Sequence, residues 1–435
     1  MLLRVTDRQN GPELHRALGP AAIVAYAVGD ILGAGIYALV GRVAGQAGGG
    51  AWASFLVSAF IAGLTGLTYA ELVSRHPVAA GAAAYTHRAF GAPLPAFLVG
   101  FLVLASGITS AAAVSHAFVG YLDSFIHAPD MLASIGMLVL LALLSFRGIH
   151  ESSRVNIALT LIELSGLLFV LGVGFTFAFG RPGPIEPANN LTAVELGGVV
   201  GGATIAFFAY IGFEDAVNVV EEVRDASRNL PRAILVAIAF TTVIYLGVTV
   251  AALLTVPVER LATSDAPLLE VLEAAGISAP QEAFSVVAMI AITNTGLLNL
   301  IMGSRLLFGM AREGLLPRAL TYVHPRRRTP ALAILVVLVL AVLLAVSGGT
   351  QVLAQTTSFL LLLVFVAVHL ALIVLKRRGP PPEGGIRVPR LIPWVGALSC
   401  VGLMFRYPAE VYARAGIVLA TGILLYAAVK VRRSD

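Results

Sequence analysis

Long apolar runs separated by short polar ones make up almost the whole chain. A helix that crosses a bilayer needs about 20 mostly apolar residues. Twelve runs fit that description, near 18–40, 48–72, 95–122, 131–146, 155–179, 196–222, 232–256, 281–310, 330–347, 352–375, 391–405 and 411–430. The fourth, ninth and eleventh are the shortest. Glycine and proline mark several connections, such as Arg181-Pro182-Gly183-Pro184 and Gly379 to Pro382 followed by Gly384-Gly385. No separate soluble domain interrupts the pattern, so residues 1–435 read as one all-α transmembrane unit of about 12 helices.

Composition agrees with this reading. Hydrophobic residues make up 58% of the chain and charged ones 12%, a balance that leaves too little polar surface to wet a soluble domain of this size. The net charge of +5 does not point to nucleic acid, because the cations sit in short clusters between apolar runs. Cys400 is the single cysteine and excludes an internal disulfide. His76, His87, His116, His127 and His150 are scattered without metal-ligand spacing. HExxH, GxSxG and Walker sequences are missing, which argues against an enzyme and against a nucleotide-driven pump. Residues 1–19 lack the apolar core of a signal peptide.

Charge sets an orientation. With both termini in the cytoplasm, 23 of the 29 Lys and Arg fall in inner segments and five in outer ones (Arg42, Arg181, Arg260, Arg406, Arg414), with Arg305 near or within the eighth span. Cytoplasmic loops hold the Lys/Arg excess, so the asymmetry supports an even number of spans. Arginine far outnumbers lysine and alanine is abundant, as in a GC-rich bacterial genome. In a bacterium the location is the inner (plasma) membrane.

Two spans carry glycine and carboxylate together in their middle third. The first contains Gly29-Asp30-Ile31-Leu32-Gly33-Ala34-Gly35-Ile36, the sixth Phe207-Phe208-Ala209-Tyr210-Ile211-Gly212-Phe213-Glu214-Asp215. Glycine weakens a helix by roughly 1 kcal/mol relative to alanine. A charge at the bilayer centre costs about 2.5–3.5 kcal/mol on insertion scales. Gly29 and Gly33 also form a GxxxG step, which close helix packing alone would explain; packing does not account for Asp30, Glu214 and Asp215. Spans one and six are the places expected for paired broken helices if spans 1–5 and 6–10 are inverted repeats (about 17–180 and 195–376, with extra helices at about 390–430).

A broken first span exposes backbone N–H groups near Gly33, Ala34, Gly35 and Ile36, and a helix N-terminus attracts a carboxylate. A broken sixth span frees carbonyls near Phe207, Phe208 and Ile211 for an ammonium group. A zwitterion would bridge the two, with Tyr210 or Phe208 selecting the side chain and Glu214 available to counter a basic one. Polyamines, lacking a carboxylate, are the alternative substrate class, and exchange is the alternative to net transport. A channel or receptor would not explain the recurrence of glycine with acid.

At these residues the sequence resembles the amino acid–polyamine–organocation superfamily of permeases. Gly29 to Tyr37 is similar to its glycine-rich substrate motif, and Tyr69-Ala70-Glu71-Leu72 with Pro77, Gly81, Tyr85 and Phe90-Gly91 to its second span and following loop. Phe207 to Pro231 resembles the cationic amino acid transporter branch. Ser304-Arg305 through Met310 to Pro317, with Thr329-Pro330, looks like the family's eighth span and the loop after it. The resemblance implies a leucine-transporter-like fold of five plus five helices with two more, working by alternating access. It implies no cofactor beyond H+ or Na+ as coupling ion.

The chain also departs from the pattern. Where several proton-coupled members place a lysine in the fifth span, this sequence has Glu163. Asp30 and Glu163 would face each other and share a proton, or bind a cation with Asn294 or Thr293; two adjacent carboxylates do not both ionise cheaply. The plain alternative is a neutral Glu163 hydrogen-bonded to a carbonyl. Glu71 and Arg305 would pair as an inner gate or as a static ion pair. The loop after the third span has no cysteine, so no disulfide-linked heavy subunit is expected. The partners are a small-molecule substrate and the lipid bilayer.

Overall fold

The computed structural model of the chain describes residues 18–78, 81–148, 153–180, 189, 191–277, 281–382 and 384–434. Arg4, Arg8, Arg16, His150 and the 181–184 connection lie outside them, as do the side chains of Arg154, Glu221, Arg432 and Arg433. Helix dominates, because a chain in lipid must satisfy its backbone N–H and C=O groups within each segment.

The first apolar run is two helices, α1 (Pro20–Leu32) and α2 (Ala34–Ala47), separated at Gly33. Helices α3 (Ala51–Arg75), α4 (Gly81–Phe90), α5 (Pro93–Leu122), α6 (Asp130–Arg147) and α7 (Ser153–Phe179) follow. The sixth run is α8 (Leu196–Ala206), a 3-10 turn at Phe207–Tyr210, a break, and a second 3-10 segment at Asp215–Glu222. Beyond it come α9 (Ala226–Thr255), two short helices α10 (Val258–Thr263) and α11 (Pro267–Ala274), and α12 (Gln281–Arg312). The chain ends in α13 (Ala331–Ser347), α14 (Thr350–Arg377), α15 (Leu391–Met404) and α16 (Ala409–Ser434). Each apolar run is thus largely helical, but α2 runs to Ala47 where the first run is expected to end near 40, α9 starts at Ala226 where the seventh is expected to start near 232, and the sixth is broken. Nine stretches among the described residues are long and apolar enough to cross a membrane, and α1, α13 and α15 are shorter apolar helices.

The interior lies where α5 packs on α12 and α14, and α3 on α9. The outer helices α6, α7, α13, α15 and α16 expose Leu143, Leu161, Leu343, Leu398 and Leu424, an apolar exterior that suits lipid. Buried hydroxyls stitch helices together. Ser54 donates to the Val199 carbonyl at 2.9 Å and Ser58 to that of Ala203 at 3.1 Å, joining α3 to α8. The buried His369 ring of α14 lies 3.2 Å from Thr65 and 2.8 Å from Thr68 on α3. Leu18 exchanges backbone hydrogen bonds with Glu222 and Arg224 (both 3.0 Å), which ties the start of the first span to the end of the sixth.

Candidate functional site

The two interrupted runs meet at their interruptions. Gly35 abuts Ala209 so closely that a β-carbon there would collide with the Ala209 backbone. Gly212 has φ of +129°, a conformation L side chains rarely adopt, and a β-carbon on it would strike the Asp30 carbonyl. These two glycines therefore allow the backbones of the first and sixth spans to cross. All of Gly33 to Ile36 and Phe207 to Tyr210 are buried.

Breaking a helix leaves carbonyls at one new end and amides at the other, and the structure gives several of them partners. The Tyr245 hydroxyl of α9 lies 2.6 Å from the Ile31 carbonyl and 3.0 Å from the Ala209 carbonyl, serving both breaks. The Ala34 amide at the start of α2 donates to the Thr295 hydroxyl at 3.0 Å, and that hydroxyl donates back to Ala291 at 3.2 Å. In the sixth span, Ile211 donates to the Phe208 carbonyl at 3.3 Å, and Gly212 donates to the Glu214 carboxylate at 3.0 Å. Glu214 is buried and holds the loop of its own break.

Aromatic side chains fill the surroundings. Tyr210 packs at 5.4 Å from the Tyr245 ring and 6.5 Å from Phe55, while Phe207 packs edge-on to Phe365 of α14. On the other side, the Tyr37 hydroxyl donates to the Glu163 backbone carbonyl at 2.6 Å, and Tyr121 donates to the Tyr37 carbonyl at 2.8 Å.

Among the coupling candidates, Asn294 Nδ2 donates to Glu163 Oε1 at 3.1 Å. Glu163 is fully buried on α7 and Asn294 is 5% exposed on α12. Asn294 Oδ1 is buried with no hydrogen-bond donor among the described residues. Asp30 is half-buried on α1, which packs against α7. Thr293 is half-buried; the threonine that reaches the first break is Thr295.

The inner-gate pair differs from expectation. Glu71 is fully buried, and its partners are Arg75 (2.6 Å), Lys376 and the Val388 amide (2.9 Å), not Arg305. Arg75 lies one helical turn from Glu71, and Lys376 comes from α14, so both reach the carboxylate. Arg305 is exposed on α12.

Tyr245 and Thr295 were not singled out from sequence. Tyr245 is a polar residue inside an apolar run, a weak signal, and nothing in a lone sequence selects Thr295 over Thr293.

Residues 18–429 match the family described as amino acid permease. The branched-chain amino acid permease BcaP of Bacillus subtilis is 29% identical over 438 residues, covering 95% of this chain and 92% of its own. The methylthioribose transporter of the same bacterium is 29% identical over 447 residues, with 97% and 95% covered. Cationic amino acid transporter 9, chloroplastic, of Arabidopsis thaliana is 33% identical over 341 residues, with 73% and 58% covered.

Proposed function

The chain belongs to the amino acid permease family, a family of multi-pass membrane transporters for small molecules, and on that basis we propose that it carries L-amino acids across the membrane by alternating access. The observation that carries this reading is the crossing of two broken helices at Gly35–Ala209 and Gly212–Asp30. Twelve spans, ten of them in two inverted repeats, would put that crossing near the bilayer midplane. The termini would then face the cytoplasm of a bacterium, with the chain in its inner membrane.

The substrate carboxylate binds the amides at the start of α2. Ala34 is engaged by Thr295, so Gly35 and Ile36 offer the next N–H groups in a first turn that lacks intrahelical acceptors. The ammonium group binds carbonyls of the sixth-span break. These residues are buried, so a substrate reaches them only when surrounding helices separate on one side or the other. Tyr245 reaches carbonyls of both breaks, which makes the two respond together.

Coupling to H+ or Na+ runs through Glu163 and Asn294, with Asp30 on the neighbouring α1. The buried Asn294 Oδ1 is an acceptor that a bound cation would satisfy. Glu163 already accepts from the other end of the same amide.

Two relatives favour a test of the substrate class. One is named a branched-chain amino acid permease and the other, equally similar, a methylthioribose transporter. The second substrate has no carboxylate. Proteoliposomes should take up a labelled amino acid saturably, and its decarboxylated amine should compete far more weakly. Equal competition by the amine would defeat the zwitterion reading and favour an organic amine or another solute without a carboxylate. Counterflow without net uptake would make the protein an exchanger.

A further inference from the structure

Where the span ends are rich in Lys and Arg, the C-terminal ends of α3 and α14 and the loop helix α4 enclose a cleft of about 550 Å³. Arg75, Arg88, Arg378 and His76 line it, with Leu375 and Pro381 on its apolar wall, and among the described residues no acidic one is in its lining. Glu71, behind the cleft, is already shared between Arg75 and Lys376. Among the described residues, Arg88 and Arg378 thus add two cations to the pair that already shares Glu71.

The guanidinium groups are held in place. Arg378 donates to the carbonyls of Arg88 at 2.7 Å and Ala89 at 2.6 Å. Arg75 donates to the Gly379 carbonyl at 2.7 Å as well as to Glu71. Arg88 is 2.9 Å from His76 Nδ1 through one nitrogen, and among the described residues no carboxylate pairs with it. Fixed guanidinium groups, of which Arg75 alone is paired with a carboxylate among the described residues, match the charge and geometry of phosphate oxygens.

We propose that this cleft binds the phosphate headgroup of an anionic phospholipid. Arg75 ends a helix that crosses the bilayer and Arg378 directly follows another, which sets them at headgroup depth. Basic pockets between span ends on the Lys/Arg-rich side are where anionic headgroups are drawn. The leucine and proline wall suits the ester region of a lipid better than a free inorganic ion. A bound headgroup braces α3, α4 and the 379–382 turn against one another, the same elements that Glu71 and Arg378 tie together from within.

The test titrates dioctanoyl phosphatidylglycerol, dioctanoyl phosphatidylcholine and inorganic phosphate into the detergent-purified full-length protein. Native mass spectrometry counts bound lipid, and a thermal melt reports stabilisation. Phosphatidylglycerol is expected to bind about tenfold more tightly than phosphatidylcholine. Arg88→Gln should erase that preference, while Arg406→Gln, at a residue that donates to the Gly197 carbonyl at the start of α8 and is not in the lining of the cleft, should keep it. Arg88 is outside the Glu71 network, so its loss spares that network; if Arg88→Gln does not purify, Arg88→Lys, with charge but no fork, should show a reduced preference. An unchanged preference in the Arg88 variants, equal binding of the two lipids, or stabilisation by inorganic phosphate matching that by phosphatidylglycerol would each overturn the proposal.

Discussion

The Tyr245 hydroxyl sits 2.6 Å from the Ile31 carbonyl, at the very end of α1, while also lying 3.0 Å from the Ala209 carbonyl of the sixth span. One hydroxyl from a third helix thus lies between carbonyls of both breaks, with a single proton to donate, and the shorter contact is to Ile31. Buried carbonyls left without a donor cost free energy, about 1–3 kcal/mol for each lost partner.

Tyr245→Phe should therefore lower the melting temperature of the purified protein, with a loss on the order of 1–3 kcal/mol. It should reduce uptake more than its modest loss of volume suggests. A variant with unchanged melting and transport would mean that the hydroxyl is incidental.

Gly35→Ala should suffice to block transport. The added carbon collides with the Ala209 backbone, and the crossing of the two spans cannot widen without moving the proposed amide site. Uptake near background, with protein still present in the membrane, is the expected result. Near-normal uptake by Gly35→Ala would remove the crossing from the mechanism.

Glu163→Gln should alter the dependence of uptake on proton or sodium gradients, and Asn294→Leu should alter the same dependence. Because the two side chains are bonded at 3.1 Å, the double variant should fall short of the sum of the single effects. Wild-type gradient dependence in Glu163→Gln would leave this pair a structural hydrogen bond.

Glu71→Gln should destabilise the fold. It leaves Arg75 and Lys376, 8% and 9% exposed, without their shared counter-charge, and breaking a buried pair costs about 3–5 kcal/mol. Arg305→Gln, on an exposed residue of α12, should melt like the parent. The reverse ranking of the two melts would restore Arg305 to the gate.

His76 follows the end of α3 and is held below its ordinary titration range, first by partial burial and then by Arg88 and Arg75. A depressed histidine contributes stability that is present above about pH 6.5 and is lost as pH falls towards the folded value. Thermal melts from pH 7.5 to 5 should show His76→Gln declining less steeply than the parent. Parallel curves would exclude the effect.

Much of this molecule is legible from its chain because lipid makes hydropathy a local signal: each run of apolar residues becomes a helix whatever its neighbours do. The interruptions at Gly33 and at 211–214 were legible for a similar reason, since glycine and carboxylate in an apolar run conflict with a continuous span in place. Which polar groups meet was not legible. Each residue turns a helix by about 100°, so Asn294 reaches Glu163 while Thr295, its neighbour, reaches Ala34. Thr293 is on the same helix and was an equal candidate from sequence. Glu71 found Lys376 because α14 runs beside α3, and Tyr245 reaches both breaks because α9 packs against α1. Helix identity follows from the chain and its solvent. Helix rotation and neighbour choice follow from side chains packing across the whole bundle, which only the tertiary structure decides.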